Sequence, residues 1–308
     1  MTGDVALSWD IRAKGSRGSK ALRLTRMWFS LKALVFVDTH SAALAVYKQG
    51  IRGPQLLRFA HERFGSHASQ AALFSDVLAD SKAAVARLAK DQQAPPGDAT
   101  LLLPLGAAFP SIVDVAALKK AEAAEVDEEE VVRFKLAPLL PFPVAQAEIR
   151  TEVSKSVGGG AVLAQAILKT TIAESEAVMA SVGFNRVHVT SSLSAALRGL
   201  PARPGMVDLI FGDSACAIAI RDETGGIEAV HLRLLLEGDD RAQRSIDEAL
   251  RAAASVREIR VLGEDVASLK SKAREATVLP AFDEPSLRGF ADPQRFPFLA
   301  LFHERASR

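Results

Sequence analysis

Residues 31–46 read LKALVFVDTHSAALAV, and this stretch decides the fold. An apolar run, a short polar turn and a second apolar run are typical of two antiparallel strands joined by a tight hairpin. A third strand follows at 54–64, then a helix at 76–90 with apolar residues along one face, and a further strand at 99–105. The segment predicts the order β-β-β-α-β, which indicates a mixed sheet with helices packed on it.

The same order of elements recurs in the second half of the chain. Residues 206–220, MVDLIFGDSACAIAI, repeat the pattern of strand, turn and strand. Three more elements repeat after them: a strand at 226–237, a helix at 240–254 and a strand at 257–263. Two such units facing each other across a cleft are similar to the layout of the actin-like ATPases. The sequence therefore predicts an α/β, actin-like fold with two duplicated lobes.

A different pattern separates the two copies. Residues 128–153, EEEVVRFKLAPLLPFPVAQAEIRTEV, begin as an amphipathic helix that Asp127 caps. Pro141 and Pro143 end this helix because neither can donate to the helical ladder, and residues 147–153 then alternate as a strand. The junction is called the elbow and consists of Leu139, Leu140, Pro141, Phe142, Pro143 and Val144. Its prolines and large apolar side chains predict a rigid apolar wall.

The elements after the elbow complete a compact unit. A strand at 161–168 is followed by a helix that starts at a capping box, Thr171 to Glu174, stops at Gly183, and leads into a strand at 186–190. We expect this α-β-β-α-β unit to be a small subdomain inserted between the lobes. The predicted division is a basic leader at 1–26, a first lobe at 27–127, an inserted α+β subdomain at 128–200 and a shortened second lobe at 201–308.

The composition is that of an ordinary globular protein. The 308 residues are 48% apolar and 24% charged, and a net charge of +1 predicts no dedicated nucleic-acid surface. Cys216 is the only cysteine, which excludes an intramolecular disulfide, and we expect it to be a small buried residue. The most apolar stretch, 101–118, is interrupted by prolines and Asp114, so we expect no membrane span and a soluble chain.

The first 26 residues form a basic leader without an acidic residue after Asp10. Its basic residues are Arg12, Lys14, Arg17, Lys20, Arg23 and Arg26. Three interpretations stay open: a leader without regular structure, a true start at Met27, or a tail that contacts anionic lipid.

The chain resembles the PilM-type proteins of type IV pilus assembly from about Met27 to Gly263. Those proteins are FtsA-like members of the actin/Hsp70 superfamily and are related to the cytoplasmic domain of GspL. Two segments carry the resemblance: the acidic-led helix, Leu-Pro-Phe-Pro knuckle and strand of 128–153, and VLAQAILKTTIAESEAVMASVGFNRVHVTSS at 162–192. The resemblance implies a cytoplasmic scaffold of a type IV pilus or type II-like secretion assembly platform.

The same resemblance implies a partner. In the family, a groove between the inserted subdomain and the first lobe receives the short N-terminal cytoplasmic peptide of a membrane protein, PilN. The elbow residues would line this groove, and the partner would be a PilN-like or GspM-like protein that holds the chain at the inner membrane. Whether the chain also forms a homo-oligomer stays open.

The resemblance also implies where a nucleotide would bind, and the sequence departs from the family pattern there. The family holds phosphates and metal with two Asp-X-Gly turns. Asp38 has the place of the metal-coordinating carboxylate, but His40 replaces the glycine that would let the backbone approach phosphate. In the second turn, depending on register, Phe211 replaces the aspartate or Asp213 takes the glycine position. Gly263 stands alone where the adenine-side turn normally has two or three glycines.

These departures predict a pseudo-ATPase with no catalytic residue, no metal-ligand set and no required cofactor. Weak binding of ATP and Mg²⁺ stays open. The residues that would then contact the nucleotide are Asp38, His40, Ser41, Asp213, Ser214, Gly238 and Gly263.

The main alternative is an active, ATP-binding and filament-forming protein of the FtsA kind. Such a protein normally ends in an amphipathic membrane helix, whereas residues 289–308 carry only a short helical pattern. A serine hydrolase would use Ser214 of the Gly-Asp-Ser run, but it needs a histidine close to an aspartate, and His303 has none beside it. The six histidines show no metal-ligand spacing.

Overall fold

The computed structural model of the protein describes residues 31–50, 53–65, 74–114, 127–153, 161–235, 241–252, 258–263, 269, 277–280, 296–299 and 302. The predicted leader at 1–26 and Gly238 lie outside these residues. Among the helices of the described residues, none is both long and apolar enough to cross a membrane.

Strands and helices follow one another in a repeated order along the described chain. The strands are β1 (Leu31–Val37), β2 (Ser41–Gly50), β3 (Gly53–Arg63), β4 (Asp98–Leu103), β5 (Ala108–Asp114), β6 (Ala147–Val153), β7 (Ala161–Leu168), β8 (Arg186–Ser191), β9 (Met206–Phe211), β10 (Ala215–Arg221), β11 (Ile227–Leu234), β12 (Glu258–Leu262) and β13 (Thr277–Pro280). The helices are α1 (Phe74–Asp91), α2 (Glu128–Leu136), α3 (Lys169–Val182), α4 (Ser192–Gly199) and α5 (Arg241–Ala252).

Two five-stranded sheets have the same topology. Their strand orders are β3-β2-β1-β4-β8 and β11-β10-β9-β12-β13. In each sheet the first three strands along the chain are antiparallel neighbours, and two further strands extend the sheet in parallel. The predicted duplication is therefore confirmed, since every strand of the first sheet has a counterpart at the same position in the second.

A smaller sheet, with the order β5-β7-β6, pairs with neither large sheet among the described residues, although β5 and β7 pack against β11 of the second sheet. Helix α2 packs against β5, and the two buried side chains of α2, Val132 and Leu136, contribute to the core of this sheet. This small sheet with α2 is the observed counterpart of the predicted inserted subdomain.

The strands of the inserted subdomain differ from those predicted. Strand β5 was expected in the first lobe but pairs with β7, and β8 was expected in the insertion but pairs in parallel with β4 of the first lobe. Helix α3 likewise packs against α1. The reason is that a parallel neighbour of β4 must be reached by a crossover, and the chain builds the small sheet within that crossover before α3 and β8 return to the first lobe.

The ends of two helices also differ from those predicted. Asp127 caps α2 as expected, since its side chain accepts the Glu129 N–H at 3.0 Å, but α2 ends at Leu136 and not at Pro141. Pro138 lacks the N–H that would continue the ladder, so a 3₁₀ turn follows at once. Helix α3 begins at Lys169 without a side-chain cap, so the predicted capping box is wrong.

The two large sheets share one apolar core. Strands β1 and β2 contribute Leu34, Phe36, Ala43 and Ala45, strands β9 and β10 contribute Ile210 and Ala217, and α4 contributes Leu193, Ala196 and Leu197. Phe296, Phe298 and Phe302 belong to the same cluster, and the ring of Phe298 lies 5.6 Å from that of Phe36. The lobes are thus joined by burial of apolar surface, which fixes how their strand ends face each other.

A buried ion triad fixes the chain between the lobes to the second sheet. Asp208 on β9 accepts Nε of Arg221 at 2.7 Å and Nε of Arg260 at 2.6 Å, and all three side chains are buried. Arg260 Nη1 also donates to the carbonyl of Pro201 at 2.8 Å. Removal of Asp208 would leave two buried cations and would cost about 3–5 kcal/mol.

Position 263 requires a glycine because its backbone lies very close to that of Phe211. Gly263 follows β12 with φ +93, and a Cβ built there would lie 2.1 Å from the Phe211 carbonyl oxygen. Gly183, with φ +109, has open space around the same position. We expect Gly263→Ala to destabilise the protein by more than the about 1–2 kcal/mol that left-handed backbone alone costs an alanine, and Gly183→Ala to cost only that amount.

Urea denaturation of both variants, followed by circular dichroism, measures the difference. Equal losses of unfolding free energy would contradict the packing role of Gly263.

Candidate functional site

The two hairpin turns that were predicted to hold phosphate lie against each other. The first turn joins β1 to β2 at residues 38–41, and the second joins β9 to β10 at residues 212–215. Each is closed by the same backbone hydrogen bond, Asp38 N to Ser41 O at 2.8 Å and Gly212 N to Ala215 O at 2.8 Å. The duplication therefore brings two equivalent turns to one place between the lobes.

Side chains of each turn bind the other turn directly. Asp213 Oδ2 accepts the His40 N–H at 3.1 Å and the Ser41 hydroxyl at 2.8 Å. In the opposite direction, Asp38 Oδ2 accepts the Asp213 N–H at 2.9 Å. The Thr39 and Ser214 hydroxyls share a hydrogen bond of 2.8 Å. This set of contacts is called the latch, and it consists of Asp38, Thr39, His40, Ser41, Asp213 and Ser214.

The matching backbone bonds settle the register of the second turn. Gly212 is equivalent to Asp38, and Ser214 is equivalent to His40. Both registers considered for the second turn are therefore wrong: neither does Phe211 replace the aspartate, nor does Asp213 occupy the glycine position. Neither turn has a glycine at its third position.

Gly212 lets the turns meet. A Cβ at this position would lie 2.7 Å from Asp38 Oδ2, inside the contact distance of the two atoms. At the position equivalent to Asp38, the second turn thus has a residue without a side chain, which leaves room for the carboxylate of the first turn. The sequence analysis did not single out Gly212 and Thr39. Both could have been found by aligning the two hairpins position by position, because the two turns have the same length.

Asp38 is held in an unusual ionisation state. The pKa of its carboxyl is raised to about 7, and the largest cause is burial of the side chain. The negative charge of Asp213 contributes to this rise, while hydrogen bonds from the N–H groups of Asp213 and Thr39 act in the opposite direction. Asp38 therefore exchanges a proton near neutral pH.

Other residues singled out from the sequence have different surroundings. Gly263 packs on the backbone of Phe211, immediately before the second turn. Cys216 is buried in the core of the second lobe, as predicted. Ser214 bonds Thr39 and not a histidine. Within the described residues, no group of three His, Cys, Asp or Glu side chains could hold a metal ion.

A cavity of ≈ 310 Å³ opens on the first lobe, away from the turns. Lys32, Asp98 and Arg186 line it, and these residues stand at the starts of β1, β4 and β8. The two turns follow the ends of β1 and β9, so the cavity lies at the other end of the first sheet and does not belong to the latch.

The elbow is partly packed and partly exposed. Phe142 and Leu140 pack onto the core of the small sheet, and the Phe142 ring meets Phe109 edge to face at 5.2 Å. Leu139 is 62% exposed, and Phe134 on α2 is 78% exposed. Phe134 was missed because it falls off the apolar stripe of its helix. Phe134 and Leu139 thus both present large apolar side chains to solvent, five positions apart in the chain.

Strand β6 faces the first lobe from the edge of the small sheet. Arg150 on β6 donates to the carbonyl of Val189 on β8, and Lys169 Nζ donates to the carbonyl of Ala145 at 2.9 Å. Burial lowers the pKa of His188 on β8, and the positive charges of Arg150 and Arg198 lower it further. Strands β6 and β8 thus meet at a boundary between the small sheet and the first lobe, and the elbow precedes β6 in the chain.

Solved structures with the same fold support the predicted architecture. A chain of the PilM–PilN type IV pilus biogenesis complex matches with a TM-score of 0.60 at 17% identity, over 89% of this chain and 96% of that chain. The cytoplasmic domain of EpsL, an inner-membrane component of the type II secretion system of Vibrio cholerae, matches with a TM-score of 0.51 at 10% identity, over 90% of this chain and 95% of that one.

A third similar structure has the fold but no known role. It is a Bacteroides thetaiotaomicron protein with an actin-like ATPase fold and unknown function, with a TM-score of 0.54 at 10% identity, over 81% of this chain and 90% of that chain. Neither a scan of protein-family models nor a search of curated proteins finds a match. The actin-like fold predicted from the sequence is confirmed, and so is its structural resemblance to the pilus and secretion proteins.

The raised pKa of Asp38 predicts a pH dependence of stability. Because the pKa of Asp38 in the folded state, about 7, lies above the ordinary aspartate value of 3.8, the folded state binds the proton more tightly than the unfolded chain does, and protonation stabilises the fold. This contribution is fully present below pH 4 and is lost as pH rises through about 7. We expect the unfolding free energy of the wild type to fall between pH 5 and pH 8 relative to that of Asp38→Asn.

Urea denaturation at several pH values measures this difference. Asp91→Asn, which changes an exposed carboxylate at the end of α1, is the matched control and should keep the wild-type slope. An unchanged slope in Asp38→Asn would contradict the assignment.

Proposed function

We propose that the chain is a cytoplasmic scaffold of a type IV pilus or type II-like secretion assembly platform. In this role it binds a short cytoplasmic peptide of a PilN-like or GspM-like inner-membrane protein, and that partner keeps it at the membrane. The observation that carries the proposal is the exposure of two large apolar side chains, Phe134 on α2 and Leu139 in the elbow, in the segment that leads into the outer strand β6. The fold shared with a chain of the PilM–PilN complex and with the EpsL cytoplasmic domain supports it.

The elbow suits a peptide that is extended and partly apolar. Proline fixes φ at Pro138, Pro141 and Pro143, so the wall is ordered before the peptide arrives and little conformational entropy is lost on binding. Leu139 presents its side chain to solvent. Strand β6 offers backbone groups at an outer edge, where an extended peptide would add as a further strand. Apolar anchors and backbone pairing would act together.

The nucleotide site is proposed to be degenerate. Asp213 accepts hydrogen bonds from the donors of the first turn, so the latch closes the space between the two turns. Side chains at His40 and Ser214 replace the third-position glycines that would let the backbone approach phosphate. A scaffold that works through the elbow needs no nucleotide, and the closed turns keep the two lobes in one arrangement.

Phe134→Ala tests the partner surface with little risk to folding. Because the side chain is 78% exposed, we expect an unchanged melting temperature. Affinity for a synthetic peptide of the cognate partner's cytoplasmic segment should fall about tenfold or more, as for an aromatic interface anchor. Fluorescence anisotropy with a labelled peptide measures this affinity.

Two variants control this experiment. Leu57→Ala changes an apolar side chain that is 42% exposed on β3, an outer strand of the first sheet. This variant should leave the affinity for the peptide unchanged. Phe142→Ala should cost about 1–3 kcal/mol of unfolding free energy, less than a fully buried phenylalanine, because Phe142 is half-buried against Phe109. Equal affinity of Phe134→Ala and wild type would refute the surface.

Isothermal titration calorimetry with Mg-ATP tests the nucleotide site. We expect no binding in the micromolar range, because the latch must break before phosphates can reach the first turn. Micromolar affinity, together with ATP-dependent filaments in electron micrographs, would instead establish the FtsA-like alternative.

A further inference from the structure

The donors of the first turn converge on a single carboxylate oxygen. Asp213 Oδ2 accepts the His40 N–H at 3.1 Å and the Ser41 hydroxyl at 2.8 Å. A backbone N–H and a neighbouring hydroxyl directed at one point form the kind of concave site with which turns bind oxyanions. The first turn therefore already holds an anion, and that anion belongs to the protein itself.

The bound carboxylate is delivered from the other lobe in a fixed position. Asp213 lies on the second turn, and its own N–H donates to Asp38 Oδ2 at 2.9 Å. Both ends of the residue are thus held, the backbone by the first turn's carboxylate and the side chain by the first turn's donors. Charge-assisted hydrogen bonds of this kind are the strong ones.

We propose that the Asp213 carboxylate occupies, as an internal ligand, the place in the first turn where the family resemblance puts a nucleotide phosphate. An external oxyanion cannot bind while the latch is closed, since both need the His40 N–H and the Ser41 hydroxyl. This inference rests on the closed nucleotide site proposed above. The Asp213 carboxylate keeps that site closed, and the shape of the turns alone does not. An oxyanion of the phosphate or sulfate class is the ligand that would replace it.

Displacement of Asp213 has a consequence for the two lobes. Asp213 takes part in three of the hydrogen bonds between the turns, through its side chain and its N–H. An anion that enters the first turn removes the two side-chain bonds and places a second negative charge beside the Asp213 carboxylate. Binding of the anion and separation of the turns are therefore linked.

Ser214 separates the effect of the carboxylate from that of a looser latch. Its hydroxyl bonds Thr39 across the same boundary at 2.8 Å, but it does not bond the His40 N–H or the Ser41 hydroxyl. Ser214→Ala weakens the latch and leaves the anion site filled. Asp213→Ala empties the anion site and keeps the Asp213 N–H for Asp38.

Titration of the full chain with inorganic sulfate in the presence of EDTA tests the proposal. Amide chemical shifts of His40 and Ser41 report the site, and calorimetry reports the affinity. We expect Asp213→Ala to bind sulfate at least about tenfold more tightly than wild type, with saturable shifts at both amides. Ser214→Ala loosens the latch but leaves the Asp213 carboxylate in place, so it should gain clearly less affinity than Asp213→Ala, and Asp213→Ala with Ser41→Ala should lose about tenfold of the gained affinity.

Asp213→Asn keeps the size of the side chain but offers the two donors a neutral amide oxygen in place of a carboxylate oxygen, so it replaces Asp213→Ala if that variant does not fold, with a smaller expected gain in sulfate affinity. A folded Asp213 variant without a sulfate response overturns the inference, and so does an equal response in Ser214→Ala. Micromolar Mg-ATP binding by wild type would instead overturn the proposed closed site. If wild type binds no ATP and the Asp213 variants bind no sulfate, the scaffold proposal stands and only this inference fails.

Discussion

The contact between Asp38 and the backbone of the second turn is the constraint on which the arrangement of the lobes depends. Asp38 is buried, so its carboxylate requires hydrogen-bond donors, and one of these is the Asp213 N–H of the other lobe. Gly212 leaves space for that approach. Because each turn follows the central strand of its sheet, this contact holds the ends of the two central strands together within the shared apolar core.

With the turns closed, the proposed function depends on the small sheet and the elbow. This sheet is tied to the first lobe by polar contacts that leave little freedom: buried Gln165 on β7 donates to Ser194 Oγ at 2.7 Å and accepts from Ser191, which caps α4. Helix α4 in turn packs in the core between the lobes. A peptide at the elbow would therefore bind a surface that is supported by the whole fold, and not by a separate domain on a linker.

The two proposed sites also differ in what holds them. The latch consists of short polar contacts between side chains and backbone, and one raised pKa shows the electrostatic cost of burying Asp38. The elbow is held by proline geometry and by apolar packing of Phe142 on Phe109. Charge and pH act on the first site, whereas apolar contacts govern the second, so variants in one should leave the other unaffected.

The sequence by itself determined the repeated strand–turn–strand units, the Asp127 cap and the elbow prolines, because these depend on local periodicity and backbone chemistry. It also located Asp38, His40, Ser41, Asp213 and Ser214 on two turns. Only the tertiary structure decided that β8 pairs with β4, that Gly212 matches Asp38, and that the Asp213 carboxylate fills the first turn. The contacts of the Asp213 carboxylate join residues up to 173 positions apart, and no local pattern encodes which distant donor a side chain will meet.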